Sequence, residues 1–109
     1  MATYTIKKGE EYHALVVPLE LNNADPSPGV SISAVEGRLV HTVTGEVVTL
    51  VMQVDTSPTG TDEIYKDFTS ADWASIPVGT YRATWKLTIG GQISYAPSEG
   101  YDEVIIQAP

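Results

Sequence analysis

The 109-residue sequence contains no cysteine, two histidines, one phenylalanine and six basic residues. The absence of cysteine excludes disulfides, thiolate metal sites and cysteine nucleophiles. The six basic residues stand against fourteen acidic ones, which gives a formal net charge of −8. Because this charge repels phosphate backbones and anionic lipid headgroups, we expect binding to neither nucleic acid nor a membrane surface.

Long apolar segments are also missing. No run approaches the roughly 20 apolar residues that span a bilayer. The first residues lack the apolar segment of a signal peptide. We therefore expect synthesis in the cytoplasm, and retention there unless something carries the chain out.

The sequence is rich in alternation of apolar and polar residues, most clearly over residues 80–89. A strand places alternate side chains on opposite faces, whereas a helix of period 3.6 scatters such a set. The stretch predicts a core strand with Trp85 at the centre of the core. Its inward side chains are Tyr81, Ala83, Trp85, Leu87 and Ile89.

Similar alternation recurs along the chain and predicts about eight short strands with turns between them. This pattern is typical of an antiparallel β-sandwich, formed here as one domain over residues 1–109. One helical turn is expected near residues 70–74, where Thr69 can act as the N-cap and Asp72 can reach back to it. Polar loops are expected at 22–29 and 55–62. The other predicted strands are 3–8, 12–21, 32–41, 47–54, 63–68, 92–97 and 102–107.

The hairpin at Gly90-Gly91 allows two registers. A two-residue loop would place Ile93 and Tyr95 on the solvent-exposed face of the sheet. A three-residue loop with a left-handed Gly91 would place Leu87 opposite Ile93 and Trp85 opposite Tyr95. We expect the second register because it buries the aromatic side chain, which makes Tyr95 a predicted core residue.

The strand predicted over residues 12–21 is apolar on both sides. Its inward side chains would be Leu15, Val17, Leu19 and Leu21. Proline cannot donate to a β-ladder, so Pro18 indicates an edge strand or a bulge. An apolar strip on an edge strand is a candidate contact with another subunit, or is covered by a loop of the same chain. The candidate interface consists of Tyr12, Ala14, Val16 and Pro18.

Residues that could carry chemistry are few. His13 and His41 lie on different predicted strands, and no third ligand stands at a spacing typical of metal-binding motifs. We therefore expect no metal site and no cofactor. The adjacent Asp102 and Glu103 point to opposite faces of a strand and cannot act as a pair. The acidic residues between 55 and 72 lack the spacing of a calcium loop and indicate a solvated surface. Trp73 and the six tyrosines could stack on sugars, but most of them occupy predicted inward positions.

The corner before the sixth predicted strand resembles that of immunoglobulin domains. Its features are Asp72-Trp73, Pro77 and then Gly79-Thr80-Tyr81. In that family a tyrosine hydrogen-bonds to the backbone of the corner. The resemblance implies this role for Tyr81, and it puts Ala83 where antibody domains have cysteine.

The layout of nearly the whole chain is similar to immunoglobulin-like domains of bacteriophage virions, especially the N-terminal domain of phage baseplate upper proteins. Lys7-Lys8-Gly9 precedes an apolar strand, and a turn-rich loop leads to residues 35–39. A helical turn then precedes Gly79-Thr80-Tyr81, and Gly90-Gly91 precedes the final strands.

This resemblance implies a non-enzymatic virion structural protein: a decoration, head-fibre, neck, tail or baseplate component. Such a protein would dock on other virion proteins, form a homo-oligomer or occur in many copies, and reside in the virion after synthesis in the host cytoplasm. The alternative is a small carbohydrate- or surface-binding module, which needs exposed aromatic side chains in a row. An enzyme is not expected, because no nucleophile elbow, phosphate loop or dinucleotide motif is present.

Overall fold

The computed structural model describes residues 2–18, 32–55, 63–89, 91–97 and 100–109. These residues form eight strands and one short helix, so the predicted all-β class is confirmed. The predicted loop at 22–29, and all but Asp55 of the loop at 55–62, lie outside the described residues. In chain order the elements are β1 (Thr3–Lys7), β2 (Leu15–Pro18), β3 (Ile32–His41), β4 (Val47–Asp55), β5 (Glu63–Lys66), α1 (Ser70–Ala74), β6 (Gly79–Ile89), β7 (Gln92–Ala96) and β8 (Asp102–Gln107).

The strands follow the order β1-β8-β6-β3-β4-β5-β2, and β7 also pairs with β6. The pair β1–β8 is parallel and the others are antiparallel. β4 pairs with β3 along most of its length and with β5 through residues 53–55, so it joins two ladders. One edge of β6 faces β3, and its other edge faces β8 in the first half and β7 in the second half. β6 is therefore the central strand of the larger ladder.

The core is built on the inward side of β6, as the alternation predicts. Trp85 lies opposite Gly37 on β3, and its ring covers the glycine. A Cβ atom added at Gly37 would lie 2.8 Å from Cζ3 of Trp85. Glycine thus fits this position of β3 because the indole ring occupies the space of a side chain. The described inward side chains of β6 are all at most 1% exposed: Tyr81, Ala83, Trp85 and Leu87.

The predicted helical turn is confirmed as α1, with Thr69 at the N-cap. The Asp72 amide donates to the Thr69 hydroxyl at 3.2 Å, and the Thr69 amide donates to the Asp72 carboxylate at 2.9 Å. That backbone hydrogen bond holds the pKa of Asp72 below its ordinary value. Trp73 is buried, stacks on Phe68 and donates its indole N–H to the Glu10 carbonyl at 2.7 Å. These contacts fix the helix against the N-terminal segment.

The strand predicted over 12–21 begins later than expected, at Leu15. His13 has a left-handed φ of 46°, and its amide donates to the Asp67 carboxylate at 2.6 Å. This turn ends the extended conformation, so Tyr12 is not part of the strand. Within β2, Leu15 and Val17 are buried as predicted. The other two predicted inward side chains, Leu19 and Leu21, lie outside the described residues.

The predicted register of the β6–β7 hairpin is wrong. Leu87 lies opposite Ser94, and Trp85 lies opposite Ala96, as a two-residue loop requires. Gly91 takes the positive φ, 81°, that suits such a loop. Tyr95 is consequently 59% exposed and is not a core residue. The small side chain of Ala96 packs against the core in its place.

Candidate binding surfaces

The strip predicted as an interface lies at an edge, as Pro18 indicated, but only half of it is open to solvent. β2 pairs with β5 and ends the strand order of the described residues. Tyr12 is 82% exposed and Pro18 is exposed. Ala14 packs against the core, and Val16 is half-buried opposite Tyr65. The four side chains therefore do not form one continuous exposed strip.

An aromatic stack covers part of this edge. The His13 ring stacks on Tyr65 with a centroid distance of 4.3 Å, and Tyr12 tilts against His13 at 4.1 Å. Nδ1 of His13 lies 3.2 Å from the Asp67 carboxylate, off the line of a hydrogen bond, so the contact is an ion pair when the ring is protonated. The stack thus lies on Tyr65, which is the neighbour of Val16 across the two strands.

A larger exposed surface lies on the other ladder and was missed by the sequence analysis. We call it the outer face: the outward side of β7, β6, β3 and β4. Val51, Tyr95 and Ile93 are 71%, 59% and 57% exposed on it. The register sets Tyr95 opposite Lys86, Lys86 opposite Glu36, and Glu36 opposite Val51. One row across four strands therefore has apolar ends and an oppositely charged middle pair.

Basic residues are concentrated on the outer face. Arg38, Arg82 and Lys86 are half of the six basic residues in the chain. Among the described side chains, Glu36 is the one acidic residue that these four strands present there, and Glu103 of the adjoining β8 lies opposite Arg82. The Arg82 guanidinium lies 4.9 Å from the ring centroid of Tyr101, at the start of β8, in cation–π contact. The outer face thus differs in charge from the rest of this acidic chain.

The tyrosines are less buried than the sequence analysis expected. Tyr81 belongs to the buried core, whereas Tyr12, Tyr95 and Tyr101 are exposed. The remaining two, Tyr4 and Tyr65, are partly buried. Trp73, which was also considered for sugar stacking, is buried beneath Phe68. Exposed aromatic side chains are therefore available at Tyr95 on the outer face and at Tyr101, which precedes β8.

His41 is a buried histidine with a structural role. Its Nδ1 accepts from the amides of Val43 and Thr44, so Nε2 carries the proton and donates to the Val78 carbonyl at 3.2 Å. These bonds tie the β3–β4 turn to the corner before β6. Gly79 has a φ of 141°, and a Cβ atom there would lie 2.2 Å from Nε2. Glycine is therefore required where the imidazole passes the backbone.

Asp102 is a buried carboxylate, also with structural partners. One oxygen accepts from the Trp85 indole at 2.9 Å, and the other accepts from the Ala2 amide at 3.0 Å. Burial, and secondarily the charge of Asp102, raise the pKa of the Tyr4 phenol. The neighbouring Glu103 points outward, as predicted for an adjacent pair. Asp102 thus fixes the start of β1 and the core indole to β8.

Neither histidine meets a set of metal ligands among the described residues. His13 approaches Asp67, and both nitrogens of His41 contact backbone groups. Within the described ranges, no three His, Asp or Glu side chains come together as a possible site. This result does not cover two of the acidic residues between 55 and 72, because the structure does not describe the Asp55 side chain or Asp62.

A shallow groove of about 340 Å³ lies beside α1. Trp73 and Ala74 provide apolar lining, and Lys8 and Glu11 are its charged groups. The described residues that line the groove offer no convergent set of polar atoms. It therefore identifies no cofactor.

The one helix in the described part of the chain, α1, has five residues and is too short to cross a membrane. Comparisons with protein-family models, with curated protein sequences and with solved structures find no match to this chain.

Proposed function

We propose that the chain is a non-enzymatic structural protein of a bacteriophage virion, with an immunoglobulin-like domain that docks on other virion proteins. The starting point is the resemblance of its sequence layout to virion immunoglobulin-like domains. As a decoration, head-fibre, neck, tail or baseplate component, it would occur in many copies or as a homo-oligomer. It would be made in the host cytoplasm and reside in the particle.

The strand order supports the immunoglobulin-like part of the proposal. Immunoglobulin domains place strands C, F and G side by side in one sheet and pair B with E in the other. Here β3, β6 and β8 are adjacent in one ladder, and β2 pairs with β5 in the other. The central position of β6 corresponds to that of strand F.

The hydrogen bond at the entry to β6 is the observation that carries the proposal. The Tyr81 hydroxyl donates to the Pro77 carbonyl, four residues upstream, at 2.5 Å. Immunoglobulin domains have the equivalent tyrosine near the start of strand F. Burial, and then the charge of Glu46, raise the pKa of this phenol, which keeps it a donor. The role that the resemblance implied for Tyr81 is thus supported at atomic level.

The buried polar side chains favour a structural role over catalysis. His41 and Asp102 are both buried, and both have hydrogen-bond partners that belong to the framework. A catalytic acid or base needs an atom that can reach a substrate. Neither side chain offers one.

Mass spectrometry of purified particles tests the virion assignment. The particles should come from a strain that carries the gene, with particles from a deletion strain as the control. We expect the protein among the particle components at a stoichiometry of several copies. Its absence from intact particles would refute the assignment.

The predicted strip on β2 can be tested in the same particles. We expect Val16→Glu to lower incorporation, because it adds a charge at the proposed contact. Thr5→Glu on β1 is a matched control, since it adds the same charge at an exposed position of the other edge strand. Folding of both variants is checked by circular dichroism. Normal incorporation of folded Val16→Glu would show that this strip is not the interface.

A carbohydrate- or surface-binding module remains the second candidate, and one observation favours it. Tyr95 and Tyr101 are exposed, and Arg82 lies against the second ring. Exposed aromatic rings can stack on sugars, and the guanidinium could bind an acidic group. Binding to a glycan array that is lost in both Tyr95→Ala and Tyr101→Ala would favour this candidate. If both variants still bind the glycan, or if the wild type binds no glycan, the result would count against this candidate.

A further inference from the structure

The outer face is complementary to itself. Its row Tyr95, Lys86, Glu36, Val51 carries an apolar group at each end and opposite charges in the middle. Reversing the row therefore sets each charge against its opposite and each apolar group against an apolar group. A two-fold axis performs this reversal when it lies between two facing sheets.

We propose that the outer face is the interface of a homodimer, in which two copies pack face to face about a two-fold axis parallel to the strands, between β6 and β3. Tyr95 then contacts Val51 of the partner subunit, and Lys86 contacts Glu36 of the partner subunit. Both contacts occur twice. Sheets pack face to face about 10 Å apart, which side chains of this size span.

The neighbouring rows are compatible with the same axis. Thr84 and Arg38 are opposite each other within one copy, so the axis places each arginine over a threonine. Arg82 and Val40 are likewise paired, so the axis places Arg82 over an apolar side chain while it keeps Tyr101 as its own partner. Glu103 of β8 lies opposite Arg82 within one copy, and no like charges meet among the described side chains of these rows. An axis perpendicular to the strands at Lys86 would instead place lysine over lysine.

The composition of the face favours a second copy over a sugar. Val51 and Ile93 are branched aliphatic side chains with more than half of their surface exposed, and a second protein surface would cover them. Each copy carries a net charge of −8, so long-range repulsion opposes association at low salt. At physiological ionic strength the Debye length is about 8 Å, so dissolved salt weakens this repulsion. The inference does not depend on the virion assignment.

Charge reversal tests the pairing. Sedimentation equilibrium at physiological ionic strength should show a dimer for the wild type. Lys86→Glu and Glu36→Lys each create two like-charge contacts, and each should raise the dimer dissociation constant by roughly tenfold or more. The double variant restores opposite charges across the axis and should restore the dimer. Lys7→Glu is a matched control on β1, outside the outer face, and should leave the dimer intact.

The results that would overturn the proposal are specific. They are a wild type that stays monomeric at high concentration, single variants that dimerise normally, or a double variant that stays monomeric. A monomeric wild type that binds glycans through Tyr95 would likewise assign the face to a sugar. Melting temperatures show whether each variant is folded, because both residues also face each other within one copy.

A second measurement does not depend on charged variants. The chain has no cysteine, so thiol cross-linking reports only introduced positions. A mixture of Val51→Cys and Tyr95→Cys chains should cross-link efficiently with a short bifunctional reagent. Chains with Val51→Cys alone should cross-link poorly, since the axis separates the two copies of this position by about three strand spacings, roughly 14 Å. Equal yields would contradict the proposed axis.

Discussion

Gly37→Ala should destabilise the protein, although alanine normally suits a strand better than glycine. The φ of Gly37 lies outside the left-handed region, so alanine meets no backbone strain there. The new Cβ would lie 2.8 Å from Cζ3 and 3.1 Å from Cε3 of Trp85. The indole is 1% exposed, and Asp102 holds it through a hydrogen bond of 2.9 Å. The ring therefore cannot move away freely.

The size of the loss follows from two opposing effects. An extra methyl group in a packed core costs about 1–3 kcal/mol. The lower entropy of the unfolded chain with alanine offsets about 0.4–1 kcal/mol of this. We expect a net loss of about 1–2 kcal/mol, which corresponds to a fall in Tm of roughly 4–16 °C for a domain of this size.

Urea unfolding followed by far-UV circular dichroism measures the free energy of unfolding. The matched control is Gly37→Ala in a Trp85→Leu background, where the colliding ring atoms are absent. There the alanine should cost less than about 0.5 kcal/mol, so that the two positions show a coupling energy of at least about 0.5 kcal/mol. An unchanged stability of Gly37→Ala in the wild-type background, or an equal loss in both backgrounds, would refute the steric account.

Three further predictions concern the core, the histidines and pH. Trp85→Ala should cost about 3–5 kcal/mol of unfolding free energy, because it empties the centre of the core, and a loss below about 1 kcal/mol would contradict this. A chelator should leave Tm unchanged, because His13 and His41 lack a set of metal ligands in the described residues, and a fall of several degrees would count against it. Burial raises the pKa of Tyr81 above its unfolded value of about 10. The stability that comes from its neutral form is thus fully present below pH ~10 and is lost as the pH rises through the folded pKa, which urea unfolding at several pH values should show. An equal decline in Tyr81→Phe would contradict this assignment.

Much of the fold could be predicted because strands with one buried face carry a period of two. Residues 80–89 differ by one residue from β6, and residues 32–41 and 102–107 coincide with β3 and β8. The cap of α1 was also predictable, since Thr69 and Asp72 have the spacing of a capping box. Local patterns sufficed at these positions because the tertiary structure agrees with them.

The start of β2 could not be predicted because a tertiary contact overrides the local pattern. Alternation continues through Tyr12 and Ala14, but His13 turns left-handed and gives its amide to Asp67, 54 residues away. No local signal in the sequence marks that partner. The predicted interface strip consequently contained two residues that are not on the strand, Tyr12 and Ala14, and Ala14 packs against the core.

The register of the hairpin between β6 and β7 was mispredicted for a different reason: the preferred turn type and the burial of an aromatic side chain favour different registers. Turn chemistry at Gly90-Gly91 favours a two-residue loop, whereas burial of Tyr95 requires a longer one. The protein follows the turn chemistry and leaves Ile93 and Tyr95 exposed. Exposing two large apolar side chains is unfavourable for an isolated domain and becomes favourable when a partner covers them. The position where the sequence misleads about the fold is thus part of the face that we propose as an interface.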